Sequence, residues 1–255
     1  GLWQLRRAVP RFRWETPRRS AAHLREAVRF GGPMQLTNLF AVLHIQFDKF
    51  LLARFVALAA VTPYELGLRV VTAAAAPAQL LVVAVLPAAA ALHAAESHGL
   101  LRELHTRARR YVLAVGVATM AAVLGSASRL YTVWIGPGHP DAALALRGLA
   151  LAVGVTFTTN VGATVVRGVG RTDLEAWFAA TVFAVHLGLS IVLIPIYGLK
   201  GALIAILAAN VIGAAFSLWL LATRLGWARA PVLLEPLGIP LLALAVGAAV
   251  SLALD

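Results

Sequence analysis

Phe47-Asp48-Lys49-Phe50-Leu51-Leu52-Ala53-Arg54-Phe55, FDKFLLARF, closes a long apolar segment with three ionisable side chains in seven residues. A charge at the centre of a membrane helix costs about 2.5–3.5 kcal/mol on insertion scales, and less near the interface. Whether these charges are ordinary or expensive depends on the chain around them. Of its 255 residues, 60% are hydrophobic and 13% charged; the mean hydropathy is +0.83. A soluble domain of this size cannot hide that much apolar surface, so the solvent of the fold is lipid. Uncharged or nearly uncharged runs cover 30–47, 70–95, 111–128, 148–166, 176–199, 201–223 and 236–254. With its flanks, each crosses ~30 Å of hydrocarbon as a helix. The short alternating segments of a membrane β-barrel are absent. The expected fold is an all-α integral membrane protein of about seven transmembrane helices.

The chain has no cysteine, which excludes disulfides and thiolate metal sites. Its net charge of +11 is explained by topology rather than by nucleic acid. Arg6, Arg7, Arg11, Arg13, Arg18, Arg19, Arg25 and Arg29 precede or open the first span. Arg102, Arg107, Arg109, Arg110, Arg167, Arg171, Arg224 and Arg229 fall in alternate loops on the same side. The opposite side has only Lys49, Arg54, Arg129 and Lys200. This asymmetry makes the arginine-rich side cytoplasmic and attracts anionic lipid headgroups. Residues 1–22 are expected as a basic linker on the cytoplasmic membrane surface, where Trp3, Phe12 and Trp14 alternate with arginines. A transit peptide is a second reading of that segment. The sequence starts at Gly1 and is expected to be a piece of a longer protein.

The first helix is expected over about 22–55 and the second over about 61–95, with Pro77 and Pro87 inside it. A cytoplasmic loop is expected near 96–110, then a helix to about Ser128. The Pro- and Gly-rich outer turn Trp134–Asp141 and a helix over about 141–168 follow. Two further helices turn at Tyr197–Gly201. A last span follows Pro231 and Pro236.

At 100° per residue, Thr62, Glu65, Arg69, Thr72 and Gln79 fit a sector of roughly 100° on the second helix. Glu65 and Arg69 are four apart in the favourable order for an ion pair. The first helix has two polar faces. Gln35, Asn38, Gln46 and Lys49 form one; Thr37, His44 and Asp48 form the other. Asp48 and Lys49 point about 100° apart, so they serve different neighbours. Arg54 and Arg147 have a bland reading as snorkelling side chains. His186 reads as a packed or hydrogen-bonded histidine, and Asn160 and Asn210 as interhelical hydrogen bonders. No H-E-x-x-H, G-x-S-x-G, P-loop or paired-carboxylate cluster is present, so no catalytic, metal or cofactor site is expected.

Several stretches, in order, resemble the oligosaccharide/polysaccharide flippases. These are the Wzx-like members of the multidrug/oligosaccharidyl-lipid/polysaccharide exporter superfamily. They are Arg29-Phe30-Gly31-Gly32-Pro33 at the entry of the first helix, Asp48-Lys49-Phe50-Leu51-Leu52 at its end and Tyr64 opening the second. Pro87 with Leu92, Gly170-Arg171 and the hairpin Pro195-Ile196-Tyr197-Gly198-Leu199-Lys200-Gly201-Ala202 follow. The resemblance implies that 23–226 form the six-helix C-terminal lobe of a two-lobed transporter. Residues 227–255 would then be an additional transmembrane helix, and the N-terminal lobe would be a partner outside this sequence. It implies a bacterial inner membrane location. It also implies transport of a polyprenyl-pyrophosphate-linked glycan from the cytoplasmic to the outer leaflet, for cell-surface polysaccharide assembly. The implied substrate-binding residues are Arg69 first, then Lys49, Arg54 and Arg147 for the phosphates. Glu65 would orient Arg69, with Asp48, Gln79 and Asn38 completing the set. A multidrug/cation antiporter of the same superfamily, a membrane-embedded glycosyl or acyl transferase and a non-transporting scaffold stay open. Four bases against the acids Asp48 and Glu65 favour an anionic substrate over a cation.

The charge asymmetry makes a direct prediction. In intact cells, an impermeant thiol reagent should label His139→Cys and leave Ser97→Cys unlabelled until the membrane is permeabilised. Labelling of Ser97→Cys alone would invert the topology.

Overall fold

A computed structural model describes residues 21–224. The linker expected over 1–22, but for its last two residues, and the helix expected over 227–255 lie outside the described residues. Within them run α1 (Ala21–Phe55), a 3₁₀ turn (Leu58–Ala60), α2 (Val61–Ala94), α3 (His98–Trp134), α4 (Pro140–Gly168), α5 (Thr172–Tyr197) and α6 (Leu199–Arg224). No strand occurs among the described residues. The helices α2 to α6 are each long and apolar enough to cross a membrane. The more polar α1 is 35 residues long.

The loop expected over 96–110 is corrected to a turn at residues 95–97, and α3 runs to Trp134 rather than Ser128. The cause is visible in the spacing. Leu101, His105 and Arg109 recur every four residues and are buried, while Glu103 and Arg107 pair on the exposed side. The stripe that packs the helix bundle therefore starts early in this segment, and a loop would break it.

Lipid supplies no hydrophobic drive between helices, so close packing relies on small residues. In α2, Gly67, Val71, Ala75, Ala78, Val82, Val85 and Ala89 form one buried edge. This edge runs parallel to α4. At the outer end, a Cβ on Gly67 would lie 3.0 Å from the Leu146 nitrogen and 3.1 Å from the Ala145 carbonyl carbon. At the inner end, a Cβ on Gly168 would lie 2.8 Å from Ala89 Cβ. The two contacts are 22 residues apart on both helices, about 33 Å of parallel seam. Along α4, Phe157 packs over Gly116 of α3, and Gly148 and Gly162 receive Leu203 and Leu221 of α6. The fourth helix is thus the axis of the described bundle. Gly198, at φ +58°, turns α5 into α6, and Gly201 lies against the Leu193 carbonyl.

The remaining helix, α1, packs along α5 and meets α2 chiefly at its outer end. Phe40 stacks on Phe183, the His44 ring meets the tilted His186 ring, and Asp48 meets Ser190. These steps advance together, so α1 and α5 are parallel and in register. The helices α1, α5, α6, α4 and α2 close a ring, with α3 outside it against α2 and α4.

Gly67→Ala should force backbone apart at the α2–α4 seam and destabilise the protein by about 1–3 kcal/mol. Gly188→Ala, where nothing lies within 4 Å of the added carbon, is the control. Thermal unfolding in detergent should show a lower Tm for the first and no loss for the second.

Candidate functional site

The polar residues of FDKF do serve two neighbours. Asp48 turns inward and is fully buried. Its Oδ2 accepts a hydrogen bond from the Tyr64 hydroxyl of α2 at 2.9 Å. His186 Nε2 of α5 lies 3.1 Å from the same oxygen, and the Ser190 hydroxyl donates to Oδ1 at 2.8 Å. Two hydroxyl donors and an imidazole nitrogen, a third donor when Nε2 carries the ring proton, converge from two helices on one carboxylate. Beside them the His44 and His186 rings stand 4.1 Å apart between centroids. The Nδ1 atom of each is buried without a hydrogen-bond partner among the described residues.

Lys49 turns the other way. Its Nζ meets Glu65 Oε2 at 2.5 Å, while Arg69 Nε donates to Glu65 Oε1 at 3.0 Å. One carboxylate therefore serves two cations. The trio keeps one net positive charge, and the Arg69 side chain is 72% exposed. Thr62, Arg69 and Thr72 lie exposed on α2 away from the α4 seam, and Gln79 is exposed toward the cavity inside the ring. Asn38 and Arg54 are exposed on α1, with the Arg54 guanidinium 5.6 Å from the Phe55 ring centre. Arg147 stands apart from this group. It is half-buried on α4 and donates to the Ser128 hydroxyl of α3 at 2.8 Å.

Inside the ring lies a cavity of about 500 Å³. Thr37, Phe40 and His44 of α1 line it, with Gln79 and Leu86 of α2, and Phe178 and Phe183 of α5. From α4 come Thr156, Thr159, Asn160, Thr164 and Arg167, and from α6 Asn210. The Asn210 amide donates to the Ala152 carbonyl at 3.0 Å, as an interhelical hydrogen bonder does. Arg167 forms a two-pronged pair with the buried Glu175 across the turn from α4 to α5. The cavity thus has a neutral polar strip on α4, aromatic walls, an ion pair at the α4–α5 end and His44 farther along α1. No group of three His, Cys, Asp or Glu residues suited to a metal occurs among the described residues.

His44, Tyr64, His186 and Ser190 were not among the expected site residues. Arg109, counted among the cytoplasmic loop charges, is instead buried in α3, with no hydrogen-bond partner for its side-chain nitrogens among the described residues.

Breaking the Asp48 hub should show its asymmetry. Ser190→Ala removes one of three donors and should cost about 1 kcal/mol. Asp48→Ala strands three buried donors and should cost ~3 kcal/mol or more. Calorimetry or thermal unfolding of the detergent-solubilised protein measures both.

No family model and no curated protein matches the chain. Two solved structures resemble its fold. One is a multidrug resistance MATE family transporter of the MOP superfamily in an outward-facing conformation. It is 21% identical with a TM-score of 0.64 over 89% of this chain and 53% of that one. The other is a MOP superfamily transporter from Pyrococcus furiosus, described by a reversed polarity of its binding pocket. It is 19% identical with a TM-score of 0.52 over the same shares of the two chains. The chain spans about half the length of these transporters.

Proposed function

We propose that the chain is the C-terminal lobe of a carrier. This carrier moves a polyprenyl-pyrophosphate-linked glycan from the cytoplasmic to the outer leaflet of a bacterial inner membrane. The fold likeness to halves of two MOP superfamily transporters supports a carrier rather than an enzyme. The observation that carries the substrate class is the Lys49–Glu65–Arg69 trio. A single carboxylate bonded to two cations orients both and leaves a net positive charge on an exposed face. A diphosphate offers several charged acceptor oxygens, and a guanidinium meets two of them at once. Glu65 competes with the phosphate for Arg69, which keeps binding weak enough for release. The exposed Arg54 adds charge at the same end of α1. Gln79 and Asn38 supply amides for sugar hydroxyls. Arg147 acts as a tie between α3 and α4. The other lobe, outside this sequence, completes the pathway.

A second reading, a cation or drug antiporter, has one observation in its favour: the buried Asp48. Its oxygens already accept from Tyr64, Ser190 and His186, so it offers an organic cation little.

In the full-length protein, Arg69→Ala should lower glycan export about tenfold or more, matching a charged hydrogen bond worth ~1.5–3 kcal/mol. Arg69→Lys should keep part of the activity. Glu65→Gln with Arg69→Gln should reach the membrane in normal amount and still fail to export. Wild-type export by that double variant would make Arg69 a partner of Glu65 and nothing more.

A further inference from the structure

The His44–His186 contact has no role in the phosphate site. His186 is 1% exposed and Asp48 is 0% exposed. An ionised carboxylate taken fully out of water needs compensation, and three neutral donors supply only part of it. With the His186 tautomer assigned so that Nε2 donates to Asp48 Oδ2, as a carboxylate neighbour requires, Nδ1 of the neutral ring is a bare lone pair. Among the described residues that Nδ1 has no hydrogen-bond partner, and neither has the His44 Nδ1. Two imidazoles in contact, tilted 46° to one another and each with an unpaired buried nitrogen among the described residues, lie beside a carboxylate that neutral donors compensate only in part. One end of this chain of groups is His44, in the cavity wall; the other is Asp48, in the core.

We propose that His44, His186 and Asp48 form a proton-binding site loaded from the lobe cavity. His44 is the entry group, His186 Nδ1 receives the proton, and Asp48 is the counter-charge. Binding one proton turns a buried negative charge into a neutral imidazolium–carboxylate pair. The site takes one proton and not two, because two imidazolium rings 4.1 Å apart would repel. It does not take a metal cation. Both Asp48 oxygens are faced by donors, whereas a cation needs lone pairs directed at it. The facing groups are few. From α1 come His44 and Asp48; from α2, Tyr64, with Glu65 next to it held by Lys49 and Arg69; from α5, His186 and Ser190. Among the described residues, no acidic or basic side chain of α3, α4 or α6 is hydrogen-bonded or ion-paired to the cluster.

Occupancy has a mechanical consequence. Tyr64–Asp48 is a buried side-chain hydrogen bond joining α1 to α2, and the carboxylate charge strengthens it. Once His186 is charged, the carboxylate is shared with a cation and holds Tyr64 less firmly. A proton arriving from the cavity thus loosens the α1–α2 closure of the ring. This consequence for transport rests on the carrier reading; the site itself does not.

The test uses the full-length protein with ¹⁵N-histidine in lipid, with magic-angle-spinning NMR and His186→Gln to assign the signal. The His186 Nδ1 resonance should move from the unprotonated to the protonated position as the pH is lowered. In Asp48→Asn the midpoint should fall by at least one pH unit, a tenfold loss of proton affinity. In Ser190→Ala, which retains all three titratable groups, it should rise, because Asp48 loses a competing donor. An Nδ1 that stays unprotonated wherever the protein is folded would overturn the site. So would midpoints unchanged in both variants. No glycan is needed for the measurement, so loss of the export reading and loss of the proton site are separate results.

Discussion

The Asp48 carboxylate is the point on which the ring depends. The helix α1 lies along α5, but it reaches α2 chiefly near its outer end, where Tyr64 and Glu65 meet Asp48 and Lys49. Asp48 ties α1 to both helices at once, through Tyr64 on one side and His186 and Ser190 on the other. With α2 fixed on α4 by small residues and α5 on α6 by the hairpin, this residue and the adjacent Lys49–Glu65 pair close the ring around the cavity. The arrangement also divides labour within FDKF. The inward residue organises the core, and the next one faces the exposed charge cluster.

Two polar systems share the α1–α2 boundary without merging. The inner one runs from the cavity wall at His44 through the buried His186 to the buried Asp48. The outer one is half open and positively charged, from Lys49 through Glu65 to Arg69. They are adjacent in sequence at Asp48–Lys49 and at Tyr64–Glu65. A change in the charge of the inner cluster is therefore one backbone step from the groups proposed to hold phosphate. That adjacency is a physical route for coupling two sites, because the same two helix ends carry both.

Much of this was legible in the sequence because helical periodicity is local. Apolar runs gave the six described helices, and the 100° step separated Asp48 from Lys49 and assigned them different partners. The polar stripe of α2 is the face left outside the α4 seam. Partners across long separations were not legible. His44 and His186 are 142 residues apart, and a helical wheel gives a face without naming its neighbour. One signal was present: His44 and Asp48 are spaced four apart, as are His186 and Ser190, on helices running in the same direction. In register, parallel packing sets 44 against 186 and 48 against 190. Arg109 failed for the opposite reason. Its neighbours Arg107 and Arg110 make a charge run, and a run read as a surface hides the one member that the four-residue repeat of α3 buries.

Cryo-electron microscopy of the full-length protein purified with its native lipids tests the central claim most directly. The account predicts density for a lipid-linked diphosphate between the two lobes, with phosphate oxygens in hydrogen-bond reach of Arg69 and Lys49. A bound organic cation seated against Asp48, with Arg69 turned away from the ligand, would contradict it.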